Sequence, residues 1–198
     1  AIANMAKGAL GTPLRWTAAR TVAAVTTDST VSFRSVGGIK EGGRIKVVLP
    51  SVGWSMPFAP VIEFSRPSAV NATAAWNAGT RTLLITTTSG EIAEGAAVEL
   101  IVKDTVTPPS VTESGSASVE TFERVTTGDT TVWPAIDTGS LNTSATSAGA
   151  LSNVSWALSA NTPGVTNNAT LVKVLSGRIG GTSCIEIVLP EVPSAAHS

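Results

Sequence analysis

The chain has 198 residues, of which 42% are hydrophobic and only 14% charged, with a net charge of −1. This balance excludes a disordered chain, which would show low hydrophobicity and high charge. The absence of any Lys/Arg run excludes nucleic acid and anionic membrane as partners of a basic face, and no apolar stretch approaches the ~20 residues that cross a bilayer.

The first segment, "AIANMAKGALGTP" (1–13), carries one charged side chain. Ile2, Met5, Ala6, Ala9 and Leu10 fit a helical stripe, but Gly8 and the lack of a cap favour an extended strand. Next, "STVSFRSV" (29–36) alternates Val31 and Phe33 with Ser32 and Arg34, as a half-buried strand does. "GGRIKVVLP" (42–50) sets Ile45, Val47 and Leu49 against Arg44, Lys46 and Val48. "APVIEFSRP" (59–67) and "TRTLLITTTSG" (80–90) follow, and "AAVELIVKD" (96–104) sets Val98, Leu100 and Val102 against Glu99, Ile101 and Lys103. Glycine and proline turns separate these runs, and no 3.6-residue period persists beyond two turns. The composition predicts an all-β chain built as sandwiches. "TPPS" (107–110) reads as a domain boundary. Beyond it, "VETFERVTT" and "TTVWPAI" read as two more strands, followed by a Ser/Thr/Ala/Gly-rich loop to about Ala150.

Near the end, "TSCIEIVLP" (182–190) repeats "GGRIKVVLP". With Pro50 placed on Pro190, a shift of 140 residues, Leu49 meets Leu189, Ile45 meets Ile185, Ile39 meets Ile179 and Trp16 meets Trp156 without a gap. A fixed shift held over so long a stretch marks an internal repeat. It places Trp16 and Trp156 in matching core positions. It also puts Cys184, the only cysteine, opposite Arg44 on an outer face as a free thiol.

The stretch "IKEGGRIKVVLPSVGW…VIEFSRPSAV…TLLITTTSGEIAEGAAVELIVKDTVTPPS" resembles the immunoglobulin-like repeats of large secreted surface proteins. The resemblance covers about residues 29–110 and, in part, 169–190. It implies an immunoglobulin-like sandwich and an extracellular location, and no particular ligand. Four sequons, at Asn71, Asn142, Asn153 and Asn168, are the acceptor sites a secreted glycoprotein would offer.

One string carries catalytic chemistry. "AIDTGS" (135–140) resembles the aspartic-protease signature, in which two carboxylates share a proton. The chain has no second copy, so Asp137 would need a homodimer of retropepsin type, with "VLSGRIGG" (174–181) as a later glycine loop. Asp-Thr-Gly is equally good turn chemistry, and this alternative leaves the first 130 residues and the repeat without a role. The only histidine, His197, stands beside the C-terminus, so neither a histidine triad nor a histidine metal site can be assembled. No Asp-x-Asp loop suggests calcium, and "SGRIGGTS" (176–183) lacks the lysine of a phosphate loop. No cofactor and no enzymatic activity are expected. Of the five tryptophans, Trp54, Trp76 and Trp133 lie near loops and are open to stacking on sugars.

Taken together, these patterns predict tandem immunoglobulin-like sandwiches, with a donor segment at 1–13, a first domain at 14–110 and an incomplete second domain at 111–198. In the second, Ile185, Ile187 and Leu189 would lack the strands that cover their counterparts. Leaving each in water forfeits about 1.5–3 kcal/mol, against a total stability of about 5–15 kcal/mol. The expected solution is donor-strand exchange: Ile2, Met5 and Leu10 of one copy fill the groove beside Ile185, Ile187 and Leu189 of another, giving a helical homopolymer and an extracellular, pilus-like filament. The runner-up is a non-polymerising adhesin or wall-protein fragment.

Overall fold

The computed structural model describes residues 7–159, 166, 168–175 and 185–188, which hold fourteen strands and no helix. In chain order they are β1 (Gly8–Ala9), β2 (Gly11–Ala18), β3 (Thr26–Arg34), β4 (Arg44–Val48), β5 (Ile62–Arg66), β6 (Asn71–Asn77) and β7 (Thr82–Ser89). Then come β8 (Ala97–Val106), β9 (Ser116–Phe122), β10 (Val125–Thr127), β11 (Thr130–Val132), β12 (Ala135–Thr143), β13 (Ser152–Leu158) and β14 (Ala169–Val174).

Alternation fixes which side chains turn inward. Val31 and Phe33 of β3, Ile45 and Val47 of β4 with Leu49 just beyond it, and Val98, Leu100 and Val102 of β8 are all buried, as their pattern predicts. One ten-stranded sheet, ordered β5-β8-β3-β2-β12-β9-β4-β7-β6 with β1 attached to β12, wraps around this core. Its two end strands, β5 and β6, lie against each other without forming a ladder, so the sheet is nearly closed. Trp16 meets Trp54 edge-on across the interior, with ring centroids 5.8 Å apart and planes at 75°, a favoured arrangement of aromatic rings.

The N-terminal segment welds the two halves of the sheet. β1 and β2 run parallel to β12, with Gly8 opposite Asp137 and Trp16 opposite Thr143, while the other edge of β2 pairs antiparallel with β3. Gly139 marks the crossing: a Cβ there would lie 3.1 Å from Leu10 and 3.2 Å from Leu14, so the closely approaching strand leaves little room for a side chain.

Three sequence expectations change. The boundary at 110/111 falls inside one sheet, because β9 and β12 supply Ala117, Val119 and Leu141 to the same core. "TPPS" is tied down: Val25 N–H donates to the Thr107 hydroxyl at 2.9 Å, that hydroxyl donates to the Val22 carbonyl at 2.6 Å, and Ala24 N–H donates to the Pro108 carbonyl at 2.9 Å. The second of the two later strands, "TTVWPAI" (130–136), divides between β11, which pairs with β10 in a short hairpin, and the first two residues of β12, which runs on to Thr143 through the start of the expected loop.

The folded unit runs from Gly8 in β1 to Ser147, which bridges Val22. Among the described residues that span is close to the 140-residue shift read from the sequence. After it, β13 and β14 form a separate hairpin with the register of β2 and β3. Trp156 opposes Leu171 as Trp16 opposes Val31, and Leu158 opposes Ala169 as Ala18 opposes Ser29. Both ladders are irregular at the corresponding place, Gly11/Arg15 and Ser152/Ser155. The hydrogen bond from Ala19 N–H to the Asp28 carbonyl recurs, 140 residues on, from Ser159 N–H to the Asn168 carbonyl.

Candidate functional site

The described part of the predicted donor segment, residues 7–13, is part of its own chain's sheet. Leu10 is buried in the core, and its N–H donates to the Thr138 carbonyl at 2.9 Å. The physical reason is proximity. β12 offers a free parallel edge within the same unit, so pairing there carries no cost of bringing two chains together. Ile2 and Met5 lie outside the described residues. On the predicted acceptor, Ile185 and Ile187 belong to no strand and are 49% and 47% exposed. Leu189 and Cys184 lie outside the described residues. The second hairpin is exposed to a similar degree, with Val154, Trp156 and Leu158 alternating along β13 and Val172 and Val174 on β14.

Asp137 is a mid-strand residue, which corrects the turn expected of Asp-Thr-Gly. It is 1% exposed. Its Oδ2 accepts from the N–H groups of Val36 and Gly37 at 3.1 and 3.0 Å and from the Thr121 hydroxyl at 3.3 Å. Oδ1 faces Gly8, where a Cβ would come within 2.3 Å, and it has no hydrogen-bond donor among the described residues. A carboxylate held this way ties the turn after β3 to β12. The geometry is that of a clamp, and the Asp-Thr-Gly loop on which the protease alternative rested is a strand.

The tryptophans divide by environment. Trp54 and Trp76 are buried in the core, which removes them as sugar platforms. Trp133 remains half-exposed: its Nε1 donates to the Gly42 carbonyl at 3.1 Å, and the Arg44 guanidinium carbon lies 3.5 Å from its ring centroid, close enough for a cation–π contact. All four sequon asparagines are exposed, Asn71 on β6, Asn142 on β12, Asn153 on β13 and Asn168 just before β14.

Two ion clusters lie on outer faces. Glu120 binds Lys7 at 2.9 Å and Lys46 at 3.3 Å. The Lys7 hydrogen bond, supported by that from Lys46, holds its carboxyl below the usual carboxylate range against the opposing effect of burial. Lys103 bridges Glu63 at 3.0 Å and Asp28 at 3.1 Å, and these hydrogen bonds, Glu63 first, raise its ammonium above the ordinary lysine value.

No protein-family model matches the chain, and no curated protein matches it.

Proposed function

We propose that the chain is a structural module of an extracellular surface protein, built from 140-residue immunoglobulin-like units in series. The observation that carries this reading is the recurrence of the β2–β3 register in β13–β14 at a shift of 140 residues, close to the length of the described folded unit. A unit that size holds its own core, while recurrence in series is how structural arrays are assembled. Exposed sequon asparagines favour an extracellular, glycan-bearing surface. Limited proteolysis of the full chain, read by mass spectrometry, tests the unit. One resistant fragment from about residue 7 to about residue 147 is expected. Two resistant fragments meeting near residue 110 would overturn it.

A second reading, a filament joined by strand exchange, is favoured by the exposed stripe Val154, Trp156 and Leu158, 44–56% accessible, since an apolar surface of this kind seeks a partner. Exchange would set β1 and Leu10 of one copy against β12 of the next, in the register seen within one chain. Ala9 and Thr138 are exposed neighbours across that ladder. Cysteines at both positions, in a Cys184→Ser background, distinguish the two readings on a non-reducing gel. A cross-linked monomer fits the module, whereas a reductant-sensitive ladder with fibres in negative stain fits exchange.

A further inference from the structure

We propose that the outer face of β4, β7 and β9 holds a pocket for a small organic carboxylate with an apolar body, read by Arg44 against Trp133. The strand register brings the parts together. Arg44 stands between Thr86 of β7 and Phe122 of β9, and Lys46 between Leu84 and Glu120. These positions all point outward, because Ile45 and Val47 of β4 point into the core. Trp133, which follows β11, closes over Arg44, and its indole is fixed by the hydrogen bond to the Gly42 carbonyl. The turn carrying that carbonyl needs its glycine because φ is 79°, a conformation that other residues rarely adopt. Arg44, Lys46, Leu84, Phe122 and Trp133 thus line a cavity of about 170 Å³.

The unmet chemistry in this cavity is that of a cation. Arg44 Nε is buried without a hydrogen-bond partner, and among the described residues no carboxylate pairs with the Arg44 guanidinium. The nearby acids are already engaged, Glu120 by Lys7 and Lys46 and Glu123 by Lys40. A guanidinium held over an indole keeps its planar fork, the geometry that receives a carboxylate through two parallel hydrogen bonds. Lys46 can turn to the same anion without stranding Glu120, because Lys7 remains on the other oxygen. Leu84 and Phe122 give the rest of the ligand an apolar bed. Size narrows the class: a pocket of about 170 Å³ is filled by one ring or a short aliphatic acid.

The test is a titration of the ¹⁵N-labelled full chain with benzoate, benzamide, acetate and sulfate. It follows the Trp133 indole N–H, assigned with Trp133→Phe, and the Arg44 Nε–H. Saturable benzoate shifts at both groups are expected, with Kd on the order of 1 mM, the range open to a fragment making two or three contacts. Benzamide should leave both unmoved, and acetate should bind at least tenfold more weakly. Arg44→Gln should weaken benzoate at least tenfold while leaving distant amide resonances in place. If that variant fails to fold, Arg44→Lys keeps the charge and loses the fork, and about fivefold weakening is expected. The absence of saturable shifts, equal shifts with benzamide, tighter binding of sulfate than of benzoate, or unchanged affinity in both Arg44 variants would each overturn the proposal.

Discussion

Trp16 and Trp156 stand at the same place in two hairpins of the same register, one fully buried and the other 44% exposed. The local instructions are therefore sufficient to set strand pairing twice, whereas burial depends on what surrounds the hairpin. Around the first, β12 pairs with the free edge of β2, β8 with that of β3, and Trp54 closes over Trp16. The second hairpin forms a two-stranded sheet by itself. An isolated hairpin is marginal in water, so most of the stability of this chain resides in the unit from Gly8 to Ser147. The inner stripes differ as well. Position by position, Leu10, Leu14 and Phe33 correspond to Ala150, Val154 and Lys173, so the second hairpin would suit a different set of covering residues.

The largest contrast should come from the matched tryptophans. Trp16→Ala removes a fully enclosed indole and should cost about 3–5 kcal/mol. Trp156→Ala should change the stability of the main unit by no more than about 0.5 kcal/mol, as surface substitutions do. Guanidinium unfolding of both variants measures this. Similar costs would mean that the second hairpin is packed against something as heavily as the first.

The next contrast lies in the leading segment, where Leu10 is buried and its counterpart Ala150 is exposed. Leu10→Ala should cost about 2–4 kcal/mol through lost burial and the cavity left behind. If stability is unaffected at low protein concentration but association is lost, Leu10 acts between copies and the strand-exchange reading gains.

Alternation exposed much of this fold in the sequence, and the repeat exposed its period. Ile45, Val47, Leu49, Val98, Leu100 and Val102 face the core as their spacing predicts. The sequence is least legible where a residue serves a partner far along the chain. Gly139 and Asp137 look like turn residues, but one makes room for Leu10 and the other receives amides from Val36 and Gly37, about a hundred positions away. "TPPS" looks like a linker because the hydrogen bonds of Thr107 reach back to the β2–β3 connection. The strand character of residues 8–13 is legible; which β12 they pair with is not, since an edge of the same chain and one of a neighbour place identical demands on the sequence. The Arg44–Trp133 contact left only a faint trace, an arginine on the outer face of a strand and a tryptophan beside a proline.

A smaller effect is expected at Asp137, which binds the turn after β3 to β12. Asp137→Asn keeps the shape, removes the charge from two backbone hydrogen bonds, and turns an NH₂ group toward either amide donors or Gly8. About 1–3 kcal/mol is expected for disturbing a buried, charge-assisted acceptor. Amide exchange should quicken first at Val36 and Gly37. Unchanged exchange at those two amides would show that the clamp carries no weight.

The smallest effect belongs to the Lys7–Glu120–Lys46 cluster, which fastens the start of β1 across β9 and β4. The position equivalent to Lys7 is Ser147, so the second hairpin has no such pin. Glu120 titrates below its ordinary range because Lys7 and then Lys46 hydrogen-bond its charged form. A carboxyl depressed in the folded state stabilises the fold at pH values above its unfolded pKa, and that stabilisation disappears as the pH falls through the folded value. With the lysine and glutamate side chains 25–48% accessible, solvent screens the network, so Glu120→Gln should cost only about 0.5 kcal/mol near neutral pH. The difference between wild type and Glu120→Gln should shrink toward zero in acid, and also in high salt, where the Debye length falls to about 3 Å at 1 M. Paired denaturation curves across pH and salt read both trends. A difference that persists in strong acid would mean that Glu120 acts through packing, and that the N-terminal segment is held by Leu10 and the β1–β12 ladder without help from charge.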